Sequence, residues 1–254
     1  RLILGTERVQ PREPRLPRQP ERPRTAVILA GGEGVRLRPI TQDLPKVLVK
    51  VGGKPILQWV VEWLKTNSVK NIVIGVAYLK ERIMEYFGDG SSFGVEITYS
   101  HHSVEGGTGE GFRLAITRYV DDNIFFALNG DQIANIKLDT MTRTHAKTGA
   151  IATIAVVHPR LPFGLVDVDR ANNCRGFLEK PVLTDRYIST GVYIFDKKIT
   201  KYLPERGDLE RSTFPKLTRI HKLSAYRHPG SFITVNSIRE LEDAENSILK
   251  RNLE

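Results

Sequence analysis

The 254-residue sequence holds one cysteine, two methionines and two tryptophans. The lone Cys174 excludes an internal disulfide and fits a reducing compartment, and as a residue it is expected to be a small buried hydrophobe. No apolar run approaches the roughly 20 residues that a membrane-spanning helix needs. The first 25 residues lack an apolar core followed by a cleavage site, so no secretory leader is expected and a cytoplasmic location is the simplest reading. The six histidines, including adjacent His101 and His102, lack metal-ligand spacing and are expected on the surface or in loops. Two common phosphate signatures are also missing. No glycine is followed, four residues on, by Gly-Lys-Ser/Thr, which excludes the P-loop. A dinucleotide fingerprint needs glycines at first, third and sixth positions, and counting from Gly32 the sixth is Leu37. No internal repeat is present.

Positive charge is not scarce: the formal net charge is +9 and the isoelectric point about 9.6. Seven arginines against three glutamates in residues 1–24 supply +4 of it. The remainder belongs to a domain without a continuous basic stripe interleaved with aromatics, so nucleic acid is a minor expectation. Residues 1–24 also place Pro11, Pro14, Pro17, Pro20 and Pro23 at every third position, the period of a polyproline II helix. The plain reading is a semi-rigid solvated arm; the sharper one is docking onto a partner or a neighbouring subunit of a homo-oligomer. Residues 25–254, with 40% hydrophobic content over the whole chain, suffice for one sizeable domain.

The richest stretch is Thr25–Leu57. Ala26 to Ala30 reads as a buried strand that empties into a loop carrying Gly31, Gly32 and Gly34. Glycines let backbone N–H groups approach phosphate oxygens closely, and Arg36 and Lys46 add charge that is fixed near neutral pH. Strand, glycine turn and cations together suggest a site for a polyanionic nucleotide.

From Thr25 strands and helices alternate, which predicts a mostly parallel sheet covered on both faces, Rossmann-like in plan. Helices are expected at 55–66, 79–87, 111–120, 137–147, 197–203, 209–220 and 237–249. Strands are expected at 69–76, 95–99, 123–128, 150–157, 221–226 and 232–235. Three short strands, 164–168, 175–178 and 188–195, read as a small antiparallel extension that carries a second substrate. Asn129-Gly130-Asp131 falls at the carboxyl end of a predicted strand, as does the glycine loop. Ligands of open parallel sheets bind outside those ends, so both belong to one rim. On local sequence Asp131 reads equally as a ligand for a hard cation or as a turn cap.

The motif Gly31-Gly32-x-Gly34-x-Arg36-Leu37-x-Pro39-x-Thr41, then Pro45-Lys46 and Gly53-Lys54-Pro55, resembles the sugar-1-phosphate nucleotidyltransferase family. The resemblance continues more weakly to near the end of the chain. It implies a magnesium-dependent reaction in which a sugar 1-phosphate attacks the α-phosphate of a nucleoside triphosphate and pyrophosphate leaves. Asp131 is then a magnesium ligand, Arg36 a grip on the β- and γ-phosphates, and Lys46 a cation near the α-phosphate and the sugar phosphate. Many relatives have a second ligand aspartate where this chain has Thr234; others have an asparagine matching Asn236, the residue chosen here, whose alternative role is to cap the helix from Ser237. Leu29, Ala30, Gly31, Gly32, Gly34, Gly107, Thr108, Glu110, Asn129 and Gly130 are the implied nucleotide contacts. Gly164, Glu179, Lys180, Thr190 and Gly191 are those for the sugar phosphate, Lys180 being counted also with the catalytic set. Phe163 replaces the family's tyrosine and Ser189-Thr190-Gly191 replaces Asn-Ala-Gly. Gly106 to Gly111 matches the base-recognition loop only at Gly107, Thr108 and Gly109, leaving Glu110 either to favour the helix dipole or to accept from guanine. No general base is needed, because the attacking phosphate is already ionised. The pattern looks closest to heptose- or mannose-1-phosphate guanylyltransferases, with thymidylyl and uridylyl relatives as the alternative. A non-catalytic nucleotide-sugar-binding regulatory subunit is the rival from another class. No hexapeptide repeat of an attached left-handed β-helix follows.

Overall fold

Strand-forming apolar runs and amphipathic helices alternate along a chain whose computed structural model describes residues 22–230 and 232–251. In chain order the elements are β1 (Thr25–Leu29), β2 (Lys50–Val51), β3 (Lys54–Pro55), α1 (Ile56–Thr66), β4 (Asn71–Val76), α2 (Lys80–Phe87) and β5 (Glu96–His101). There follow α3 (Gly107–Tyr119), β6 (Ile124–Asn129), β7 (Gln132–Ala134), α4 (Leu138–Thr148), β8 (Ala152–Val157), β9 (Leu165–Val168), β10 (Cys174–Leu178) and β11 (Ile188–Asp196). The chain continues through α5 (Leu209–Arg219), β12 (Leu223–Arg227), β13 (Phe232–Thr234) and α6 (Ile238–Arg251).

Seven strands form the central sheet in the order β12-β8-β11-β6-β1-β4-β5. β6, β1, β4 and β5 run parallel to one another, as do β8 and β12. β11 is antiparallel to both its neighbours, β6 and β8. The mostly parallel α/β architecture expected from the alternation is therefore present. Helix-bearing crossovers bury both faces, which is why strands such as Ile72 to Val76 are apolar without a break. One core packs Ile28, Ile74, Phe126 and Ile194 against helical Leu57, Leu64, Ile83 and Met141. A second, on the opposite face, packs Val27, Val73, Phe125 and Tyr193 against Phe112, Ile116, Phe214 and Leu217. A third cluster lies off the sheet and joins Leu37, Val49, Val51 and Ile56 to Val235, Ala244 and Ile248 of the C-terminal segment.

Several expectations are corrected. The segment 188–195 belongs to the central sheet, not to the extension: Val192 to Phe195 are all buried, so both faces of β11 need covers that a hairpin lacks. The extension is the two-stranded ribbon β9–β10 alone. Cys174 is exposed on that ribbon, because no helix covers it. The segment 197–203 is a single tight 3-10 stretch over Lys197–Lys201. α3 starts at Gly107, four residues before its expected start, so the Gly-Thr-Gly loop is itself the first helical turn. His145 departs from the surface expectation: it is only 6% exposed, and its Nδ1 lies 2.7 Å from Thr153 Oγ1. The polyproline reading of the N-terminal arm falls mostly outside the described residues. Arg22, at its end, pairs with Asp139 at 3.2 Å and donates to the Asn67 carbonyl at 2.9 Å.

Candidate active site

β1 ends at Leu29, and the Ala30 amide still reaches the Gly75 carbonyl beside it at 2.7 Å. The chain then leaves the sheet. Gly34 turns it at φ 63°, a left-handed conformation that glycine adopts without a Cβ penalty. The turn is held by Thr41, fully buried, whose hydroxyl donates to the Gly34 carbonyl at 2.7 Å. Val35–Leu37 form a 3-10 turn that buries Leu37 completely and leaves Arg36 exposed. A second such turn, Lys46–Leu48, buries Val47 and Leu48 and directs Lys46 inward, with the residue only 9% exposed.

Asp131 arrives from the other side. β6 ends at Asn129, and the Gly130 amide bonds the Leu29 carbonyl at 2.8 Å. Asp131 therefore follows directly where β6 leaves the sheet beside β1. β7 then pairs antiparallel with β13, Gln132 opposite Thr234. That ladder brings the residue before β7 and those after β13 to the same end. Val235, at 1% exposure, anchors in the third cluster with Leu37. Arg36 and Asn236 are each adjacent in sequence to one of these anchors.

Four side chains meet as a result. Lys46 Nζ is 2.6 Å from Asp131 Oδ2 and 2.9 Å from Asn236 Oδ1. Arg36 Nη2 donates to the same Asn236 oxygen at 3.1 Å. They line a hollow of about 240 Å³ together with Gly32, Gly34, Val35 and Leu37. A second hollow of about 270 Å³ shares Gly32, Lys46 and Asp131 with the first, so the two are continuous. Leu29, Ala30, Gly31, Gly107, Thr108 and Asn129, six of the residues named from the sequence, line it.

Asn236 does not cap α6. Ser237 Oγ accepts the Glu240 amide at 3.2 Å, and the Glu240 carboxylate accepts the Asn236 amide at 2.7 Å. This is a capping-box exchange in which the asparagine side chain has no part. Thr234 Oγ1 lies 3.5 Å from the same glutamate and lines a different cleft. Asp131 and Asn236 thus present two hard oxygen donors to one point, which suits magnesium, an ion that keeps waters and takes phosphate oxygens for its other positions. Among the described residues no group of three or more His, Cys, Asp or Glu could hold a metal.

The remaining expected residues divide. Gly130 is packed against the Leu29 carbonyl rather than lining either hollow. The Glu110 carboxylate folds back to accept the Ser103 amide at 3.1 Å and is not among the lining residues. Lys180 lines a larger cleft of about 1040 Å³ whose walls include residues 157–163 and α6, and its ammonium lies 3.8 Å from Glu179. Its backbone is left-handed at φ 46°, a strained state for a lysine that clusters at functional sites. Gly164 sits where a Cβ would meet the Phe177 ring at 2.5 Å and the Glu179 carboxylate at 3.3 Å, so two of the expected sugar residues, Gly164 and Glu179, are packed together. Thr190 is fully buried and donates to the Ala155 carbonyl at 3.0 Å, which makes it a core residue. Gly191, at φ 70°, lies against Gln132 and Asn129 at the register shift in β11.

Two polar lining residues, beside the apolar Val47 and Val104, were not anticipated. His102 follows β5; its Nδ1 lies 3.0 Å from the Ser103 carbonyl, and its Nε2 is buried with no hydrogen-bond partner among the described residues. Asp208 reaches the hollow because Gly107–Gly109 are stitched to its loop: Gly109 N bonds Gly207 O at 2.9 Å, and Thr108 N bonds the Asp208 carboxylate at 3.3 Å. Asn129 Oδ1 is likewise buried, with no hydrogen-bond partner among the described residues.

Residues 25–229 match the family described as Nucleotidyl transferase. The chain is 34% identical over 213 residues to the UTP–glucose-1-phosphate uridylyltransferase of Synechocystis sp., an alignment covering 76% of this chain and 54% of that protein. It is 32% identical over 226 residues to the probable mannose-1-phosphate guanylyltransferase 2 of Arabidopsis thaliana, covering 85% and 62% respectively. The chain thus spans between half and two thirds of the length of these curated relatives. Among solved structures, HddC from Yersinia pseudotuberculosis superposes with a TM-score of 0.70 at 25% identity, covering 88% of this chain and 99% of that one.

Proposed function

Because this chain belongs to the nucleotidyl transferase family, we propose that it moves a nucleotidyl group from a nucleoside triphosphate to a sugar 1-phosphate and releases pyrophosphate. The observation that carries the reading is the convergence of Arg36, Lys46, Asp131 and Asn236 from four separate segments onto one point. Two cations over two hard oxygen donors suit a reaction whose difficulty is bringing two anions together.

The chemistry follows from charge. A sugar phosphate oxygen attacks the α-phosphorus as the bond to the bridging oxygen of pyrophosphate breaks, so negative charge grows on the leaving group. Arg36, planar and permanently charged, suits two oxygens of that group. Lys46 stands between the nucleotide hollow and Asn236, placed to neutralise the phosphates as they approach. At about 4 Å an ion contact is worth about 4 kcal/mol at an effective dielectric near 20, enough for hundreds-fold in rate. Magnesium held by Asp131 and Asn236 would supply Lewis-acid charge at a phosphate oxygen.

GTP with a heptose or mannose 1-phosphate is the pair we favour. His102, Asn129 and Asp208 line the second hollow, and the Asp208 carboxylate is an acceptor there. Guanine offers N1–H and N2–H2 donors on one edge, more than uracil or thymine offers. The guanylyltransferase relative and the sequence pattern around residues 86–100 agree with that choice. The large cleft holding Lys180 is the natural place for the sugar, since it opens beside Thr234 and β13.

Pyrophosphate release, assayed across the four ribonucleoside triphosphates, dTTP and a set of hexose and heptose 1-phosphates, tests the reading. The expected outcome is turnover with GTP that depends on magnesium and falls by about two to three orders of magnitude in Asp131→Asn. Silence across the matrix, with a nucleotide sugar still bound, would replace it by the regulatory subunit.

A further inference from the structure

Asn236 Oδ1 accepts two cationic donors at once, Lys46 Nζ at 2.9 Å and Arg36 Nη2 at 3.1 Å. An amide oxygen has two lone-pair positions, so both are taken. Lys46 Nζ is at the same time 2.6 Å from Asp131 Oδ2, which makes one ammonium the common partner of both candidate metal ligands. The lysine side chain is 11% exposed, and its backbone is held by the Val49 amide on the Lys46 carbonyl at 3.1 Å. It is not a surface cation that has drifted inward.

We propose that Lys46 is the resident cation of the metal-ligand pair and competes directly with the divalent ion for Asp131 and Asn236. A divalent ion at these oxygens would stand against an ammonium confined to the same point, and like charges so close repel strongly. The free chain therefore holds a divalent ion weakly. An arriving phosphate, by offering Lys46 another partner, vacates the pair and sets an order: phosphate first, metal second. Only this last step rests on the nucleotidyl-transfer reading; the competition is a property of the chain without substrates.

The test uses the full chain in buffer free of nucleotide and phosphate, with Mn2+ as the probe and the electron paramagnetic resonance signal of free Mn2+ as the readout. Lys46→Gln, which keeps polar reach without charge, is expected to bind Mn2+ at least tenfold more tightly than the native chain. Lys46→Arg, which keeps the charge, should stay as weak as native, and adding Asp131→Asn to Lys46→Gln should abolish the gain. Should the glutamine variant not fold, Lys46→Met of similar length gives the same reading. Equal or weaker Mn2+ affinity in folded Lys46→Gln, or a gain that survives Asp131→Asn, overturns the proposal. Since no nucleotide is in the tube, silence in the pyrophosphate assay would sink the transfer reading without touching this result, and the reverse holds.

Discussion

Asn236 sits two residues ahead of the first residue of α6, one before the cap position, although the sequence allowed it to be the cap of a helix starting at Ser237. Ser237 takes the cap instead, and the amide is left to face Lys46 and Arg36. The family resemblance favoured the ligand role over the cap, and the ladder of β13 against β7 is what brings the residue to Lys46 and Arg36. His102 and Asp208 show the opposite case. Each is an ordinary polar residue in its local sequence and becomes a lining residue only through the packing of loops far apart in the chain. His145 is the residue where pH enters. Burial pushes its imidazole below the ordinary value of 6.5, and the charge of Asp196 opposes that in part. The unfolded chain then takes up a proton more readily than the folded one. Stability is accordingly full above about pH 6.5 and falls as pH drops from there through the lowered folded value. Denaturant midpoints at about pH 7.5 and about pH 5.5 should show the native chain weaker at the lower pH and His145→Gln with a flatter dependence. An unchanged slope in the variant would assign the effect elsewhere.

At the scale of elements, α6 does more than close the chain. Its Ala244 and Ile248 pack with Leu37, Val49, Val51, Ile56 and Val235, so the helix clamps the glycine loop to the segment bearing Asn236. Ile248→Ala should lower unfolding free energy by about 2 kcal/mol, at the low end for a buried Ile-to-Ala change because the helix is terminal. The same variant should raise the magnesium concentration needed for half-maximal turnover, since Arg36 and Asn236 lose their common footing. Denaturation and a magnesium titration check both, and a magnesium requirement that stays put would mean the loop is held without α6. Strand type was legible where the apolar run was long and bounded, as in β1, β4, β6 and β8. The place of β11 was not. Its residues after Gly191 form an uninterrupted apolar run that reads equally as hairpin or core, and only insertion between β6 and β8 decides it.

Over the whole molecule, the mixed sheet places two carboxyl strand ends side by side and lets an off-sheet pair, β7 and β13, carry the second candidate metal ligand to them. No helix among the described residues is long and apolar enough to cross a membrane. A site shared by β1, β6, the 3-10 turn of Lys46 and the C-terminal segment couples ligand to the entire fold. Saturating GTP with magnesium, at about a hundredfold over Kd, should therefore add about 2.7 kcal/mol. For a chain of this size that is a rise in Tm of roughly 5–10 °C. Calorimetry with each triphosphate in turn reads it, and an equal rise with all of them would remove the base preference argued above.

By itself the sequence determined the α/β plan, the glycine loop at the end of β1 and the choice of Arg36, Lys46 and Asp131 as the charged residues near it. It could do so because strand periodicity, glycine turns and fixed charges are local properties written within a few residues of one another. The tertiary structure alone decided that Asn236 meets Arg36 and Lys46, that Glu110 and Thr190 are committed elsewhere, and that His102 and Asp208 line the second hollow. The Asn236 and Asp208 contacts join segments a hundred residues or more apart in the chain, and no local pattern carries that distance.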